Sequence, residues 1–106
     1  MLSTTEIDAL LSEVRTYCGI TWTDERTDDQ LRVFIRSSAV RLESVYGSEI
    51  RFTGEDMEAD ETLAHDLLIA RCFYLREKAL DDFEKNYRSE LLTLRSKGKI
   101  RNCIGR

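Results

Sequence analysis

Proline is absent from this chain of 106 residues, and glycine occurs only five times. So little turn chemistry disfavours a turn-rich β-sandwich and leaves helices as the favoured element. Cysteine occurs three times, at Cys18, Cys72 and Cys103, with no Cys-x-x-Cys spacing, which speaks against a zinc site. There is no Gly-rich phosphate loop and no Gly-x-Ser-x-Gly elbow. No apolar run reaches membrane-spanning length, and no secretory leader is visible. The expectation is a cytosolic protein with reduced thiols and no membrane contact.

Apolar residues make up 42% of the chain and charged residues 34%. That is enough for one packed interior in one small domain. The net charge of -4 is unevenly spread. Residues 1–60 hold thirteen acids against six bases, whereas residues 88–106 hold six bases against one acid, Glu90. An acidic body with a basic end suggests an end that seeks an acidic partner.

Helix signals recur along the chain. Ser3 with Glu6 has the form of a capping box, and Ile7, Leu10, Leu11, Val14 and Cys18 follow on one face, with Gly19 as the stop. Ile20 and Trp22 are expected to fold back onto that face. Thr27 with Gln30 again fits a capping box, beside Asp28 and Asp29. Leu31, Phe34, Ile35, Leu42 and Val45 form the inward stripe of this second helix, and Gly47 closes it. Its outward side carries Arg32, Arg36, Arg41 and Glu43. Between Ser48 and Asp60 the pattern breaks. Ile50 and Phe52 alternate with polar residues as in a short strand or extended arm, and Asp56 or Asp60 is placed to cap the next helix.

From Ala64 to Leu94 apolar residues recur every three or four positions, through Leu68, Cys72, Leu75, Ala79, Phe83, Tyr87 and Leu91. Eight such steps cover 30 residues, whereas eight ideal turns need about 28.8, so the stripe drifts by about 120°. One straight helix cannot hold that row against one partner. The expectation is a buried helix from Asp60 to Ala79, a break or bend near Leu80–Asp82, and an amphipathic helix to Arg95. The polar remainder, SKGKIRNCIGR, reads as a tail. The expected architecture is therefore an all-α bundle of three to four helices over residues 1–95. A short extended segment separates the second and third helices, and residues 96–106 form a flexible basic C-terminal tail.

Catalytic chemistry finds little footing. His65 and Cys72 are two helical turns apart, but Cys72 sits in the most apolar segment, where a thiol acts as a small hydrophobe. The acid pairs Asp28/Asp29, Asp56/Glu58 and Asp81/Asp82 lie at or near expected helix starts, where carboxylates cap the backbone, and none has calcium-loop spacing. No catalytic residue, metal site or cofactor is assigned, and the protein is read as not an enzyme.

Three segments together resemble the small head–tail connector (adaptor) proteins of long-tailed bacteriophages. The first is the capped helix leading into DERTDDQLRVFIRSSAVRLESVYG. The second is the irregular segment with its IRF element. The third is LLIARCFYLREKALDDFEKNYRSELLTLR, an apolar helix running into Tyr-Leu-Arg and then Asp-Phe-x-x-x-Tyr. The resemblance covers residues 5 to 95. It implies a structural ring subunit that docks beneath a portal protein, extends the DNA channel and presents a platform for a tail completion (stopper) protein. DNA would pass without specific binding. The implied places are the virion head–tail junction and, during assembly, the host cytoplasm. In that family the C-terminal segment reaches toward the portal, which points here to Lys97, Lys99, Ile100, Arg101, Ile104 and Arg106. Arg32, Arg36 and Arg41 become subunit-interface candidates, and Glu55, Asp56 and Glu58 channel-facing ones. The isolated chain is expected to be monomeric until it meets its portal. The alternatives are a small helical nucleic-acid-binding regulator using the basic end, and a cysteine enzyme built on Cys72.

Overall fold

The chain starts its first helix as its sequence directs. In the computed structural model, which describes residues 2–104 and side chains through 103, helix α1 spans Thr4–Tyr17. The Ser3 hydroxyl accepts from the Glu6 amide at 3.2 Å, and the Glu6 carboxylate accepts from the Ser3 amide at 3.0 Å. This satisfies two amides that otherwise lack helical partners. The helix ends in a two-bond clasp. Gly19 (φ +72°) donates to Thr16 and Ile20 to Arg15, and the backbone reversal tucks Ile20 into the core. Trp22 does not follow it. Its ring is 48% exposed, with the Arg76 guanidinium 5.9 Å from its centroid.

Helix α2 spans Glu25–Tyr46. It begins earlier than the Thr27–Gln30 pattern suggested, because Asp24 is the cap. One of its carboxylate oxygens accepts from the Arg26 amide, and the other takes the Thr27 hydroxyl at 2.8 Å. Leu31, Ile35 and Leu42 are fully buried, joined by Ala39, Tyr46 and Ser38, while Phe34 and Val45 lie half-buried at the edge. Gly47 (φ +91°) ends the helix.

The segment that follows forms no strand. It is held by its own contacts instead. Phe52 is buried, the Ile50 amide donates to Glu43, and the Arg51 guanidinium grips Glu61. Helix α3 (Ala59–Arg76) is capped at Glu58, not at Asp56 or Asp60, and the Glu61 carboxylate accepts the Glu58 amide at 2.9 Å. Every residue from Leu67 to Cys72 is buried, as expected of a helix enclosed on all sides. It packs against all four other helices.

The expected break exists but comes before Leu80–Asp82. Helix α3 stops at Arg76 in the same clasp that ends α1, with Lys78 donating to Leu75 and Ala79 to Tyr74. The left-handed position is filled by Lys78 (φ +56°), where glycine would be usual. Helix α4 (Leu80–Asn86) then turns back along α3, its Phe83 fully buried and stacked on Tyr87 at 5.0 Å. Tyr74 closes this aromatic group, 5.9 Å from Phe83 and 6.0 Å from Tyr87. Tyr87 ends α4 and leads directly into α5 (Arg88–Ile104).

Among the described residues five helices thus replace the expected three to four, and the C-terminal segment is helical through Ile104 rather than a flexible tail. The physical reason lies in long-range contacts. Gly98 is buried where α5 crosses the end of α2, and a Cβ there would stand 1.8 Å from the Tyr46 carbonyl oxygen. Around this point Lys97 pairs with Asp60 at 3.4 Å and Arg101 with Glu58 at 2.9 Å, while the Asn102 amide reaches the Gly47 carbonyl at 3.5 Å. The Tyr46 hydroxyl also donates to Asp60, at 3.0 Å. Lys97 and Arg101 meet the acidic start of α3, Asn102 meets the carbonyl end of α2, and helix follows.

Helices α2 and α3 form the central pair. Both α1 and α5 pack on the two of them but not on each other, so they flank the pair on opposite sides. The molecule measures 46 × 30 × 18 Å, and its thin dimension is about two helix diameters. Among the described residues no helix is long and apolar enough to cross a membrane.

Candidate functional site

His65 and Cys72 do not form a pair. The Cys72 thiol is fully buried, 3.7 Å from the Ser38 hydroxyl, and burial pushes its pKa up to about 12. A thiol held protonated in the core is no nucleophile. The His65 ring turns outward to Glu13 (2.8 Å) and Asp66 (3.1 Å), tying α3 to α1. Burial alone would lower its pKa, but the two carboxylates outweigh that and raise it. Beside them Tyr17, Ile69, Ala70 and Tyr87 line a groove of about 510 Å³. Cys18 is half-buried and Cys103 exposed, both as free thiols. Among the described residues no group of three or more His, Cys, Asp or Glu side chains is placed to hold a metal ion.

The three arginines of α2 have different fates. Arg32 is engaged within the chain by Asp29 (2.8 Å) and Asp8 (3.6 Å), and Arg41 by Glu84 (3.1 Å). Arg36 is exposed and makes no ion pair among the described residues. It lies beside Val40, which is 69% exposed. Of the acidic loop candidates, Glu55 and Asp56 are exposed, while Glu58 is drawn into the contact with Arg101. Of the acid pairs, Asp28 takes the Arg15 guanidinium and so ties α2 to α1, while Asp29 pairs with Arg32 inside α2. Asp81 and Asp82 stand in the first turn of α4.

The C-terminal candidates divide by helix face. Lys97 and Arg101, four residues apart, face α3 and are paired, whereas Lys99 and Ile100 face outward, Ile100 being 60% exposed. Arg106 and the side chain of Ile104 lie outside the described residues.

A cationic groove brings Arg41 of α2 together with Arg88 and Arg95 of α5, residues far apart in the sequence. Helices α2 and α4 do not touch through their backbones, and the Arg41–Glu84 pair spans the gap. Around that pair a groove of about 390 Å³ is lined by Ser44 and Val45 of α2 and by Arg88, Leu91, Leu92 and Arg95 of α5. Behind it sits Arg71, only 7% exposed. Its Nη1 donates to the hydroxyls of Ser38 (3.0 Å) and Ser37 (3.5 Å), and its Nε is buried without a hydrogen-bond partner. Burial lowers the Arg71 pKa, partly offset by the charge of Glu84. The spacing of Arg88, Leu91, Leu92 and Arg95 on one helix face was visible in the sequence. Its position opposite Arg41 depends on the chain reversal at Lys78.

Comparison of the chain with protein-family models, with curated proteins and with solved structures finds no match in any of the three.

Proposed function

We propose that this protein is a structural ring subunit of the head–tail connector of a long-tailed bacteriophage. In this reading it docks beneath the portal protein, extends the DNA channel and offers a platform to a tail completion protein. Its place is the virion head–tail junction and, during assembly, the host cytoplasm. The observation that carries the reading is the order of elements in the segments that resemble such connectors. A short capped helix leads to a long helix ending at Tyr46-Gly47. An irregular segment with Phe52 plugged into the core follows, and then an apolar helix that turns at Lys78 into the helix bearing Phe83 and Tyr87.

The chemistry of the surface agrees. In this reading the protein works by contact, and the buried, protonated Cys72 thiol speaks against the cysteine-enzyme rival. Exposed Glu55 and Asp56 suit a channel wall, because like charge keeps DNA phosphates from sticking. Lys99 and Ile100, on the open face of α5, are the portal-facing residues in this reading. Each such contact is weak alone, and repetition around a ring multiplies it through effective concentration.

The test is co-sedimentation of the full chain with its cognate portal. Association weakened by Ile100→Asp supports the reading, and failure of the unaltered chain to associate overturns it. A nucleic-acid-binding regulator is disfavoured because Lys97 and Arg101 are already neutralised by Asp60 and Glu58. A duplex DNA gel shift at moderate salt, abolished by Lys99→Glu, would restore that rival.

A further inference from the structure

We propose that the groove between α2 and the α4–α5 arm is a docking site for an acidic, amphipathic segment of a partner protein. The inference stands on the groove itself and is independent of the ring reading.

Charge comes first. The groove presents Arg41, Arg88 and Arg95 against a single acid, Glu84. Arg41 is matched by that acid at 3.1 Å, which leaves Arg88 and Arg95 with no ion pair among the described residues. Arg71 adds a fourth guanidinium behind the wall, its hydrogen bonds going only to serine hydroxyls. A buried cation without a bonded carboxylate is costly. Its positive potential, only partly offset by Glu84, acts through low-dielectric surroundings. The folded chain therefore gathers positive charge here and supplies too few carboxylates to balance it, although its overall charge is negative.

Shape and chemistry select the kind of anion. Val45 and Leu91 are half-buried and Leu92 is 55% exposed, so apolar patches lie between the guanidiniums. A phosphate backbone has no use for such a lining, and no aromatic side chain is present in the groove to stack a base. A protein segment with leucine-like residues between its carboxylates uses both parts. All the basic residues here are arginines, whose planar fork takes a carboxylate through two parallel hydrogen bonds. Arg88 and Arg95 lie two turns apart on one face, with Leu91 and Leu92 between them. That spacing matches a partner with carboxylates at similar intervals along one edge.

The probe is a fluorescein-labelled synthetic helical peptide with leucine on one face and glutamate flanking it. Binding to the full-length protein is read by fluorescence anisotropy. The expected result is saturable binding that weakens about tenfold or more in the Arg88→Gln/Arg95→Gln double variant. A comparable loss is expected when the glutamates of the peptide are replaced by glutamine. Both arginines are exposed, so the variant keeps the melting temperature of the parent, which circular dichroism checks. No binding at millimolar protein, or binding indifferent to the two arginines, overturns the proposal. So does duplex DNA that displaces the peptide at equal charge, which would make the groove a nucleic-acid site. Self-association in sedimentation that the double variant abolishes would make the occupant a second copy and likewise overturn it.

Discussion

The middle of α3 and the last turns of α5 both pack against α2, by different physics. Along α3 the contact is apolar: Ala64, Leu68 and Cys72 are fully buried against Leu31, Ile35 and Leu42. Along α5 the contact is a backbone crossing at Gly98, surrounded by ion pairs and an amide hydrogen bond. Burial of hydrocarbon is not weakened by ionic screening and tolerates modest changes of shape. A close crossing with exposed charges depends on both. One protein thus carries a durable centre and an end that responds to solution conditions.

The sharpest way to test that contrast is to truncate the centre. Leu68→Ala should cost about 2–5 kcal/mol in urea unfolding, because the buried methyls leave a cavity. The same truncation at Leu92, which is 55% exposed, should stay within about 0.5 kcal/mol. Equal losses at the two positions would erase the distinction.

Gly98→Ala tests the other contact, and intrinsic preference predicts the opposite sign. Helix propensity alone would make alanine stabilising by about 1 kcal/mol. The new Cβ would meet the Tyr46 carbonyl oxygen at 1.8 Å, so a net loss of about 1–3 kcal/mol is expected, as for an overpacked site. Amide exchange should accelerate in α5 and leave α3 protected. A raised melting temperature would show that the helices do not cross so closely. Salt at about 1 M should likewise speed exchange around Lys97 and Arg101 while leaving the Leu67–Cys72 amides unchanged.

Lys78→Gly should stabilise the junction between the two regions, by up to about 1 kcal/mol in thermal unfolding, since glycine takes the left-handed position without steric cost. Destabilisation instead would mean that Lys78 does more than turn the chain.

The smallest effect belongs to His65. Burial pulls its pKa down, but Glu13 and Asp66 raise it above the ordinary value. A folded pKa above the unfolded one gives stability that is fully present below about pH 6.5 and is lost as pH rises through the folded value. His65→Gln should flatten that dependence above about pH 6.5. An unchanged pH profile would show that the imidazole does not tie α1 to α3.

What could be read from the sequence was mostly local. The Ser3–Glu6 cap, the stops at Gly19 and Gly47, and the inward stripe of Leu31, Ile35 and Leu42 depend on neighbours a few residues away. The start of α2 was misplaced because Thr27 looks like a cap but donates its hydroxyl to Asp24, the residue that caps the helix. The turn at Lys78 was misplaced because no glycine marks it. The C-terminus was taken for a tail because its composition is polar. Its order comes from Asp60, Glu58 and the Tyr46 carbonyl, some forty to fifty residues away in sequence. The arginine groove was hidden for the same reason. Half of it, Arg88 to Arg95, is a helix-face pattern, and the other half, Arg41, Ser44 and Val45, arrives only when α5 packs back on α2.

Gly98 has one more effect. A helix advances about 100° per residue, so the single position without a side chain fixes the phase of all of α5. Slipping the helix by one residue would drive Lys97 or Lys99 into the Tyr46 backbone. The bare spot at 98 therefore works as an index mark, aiming Arg88, Leu92 and Arg95 from the far end of the same rod.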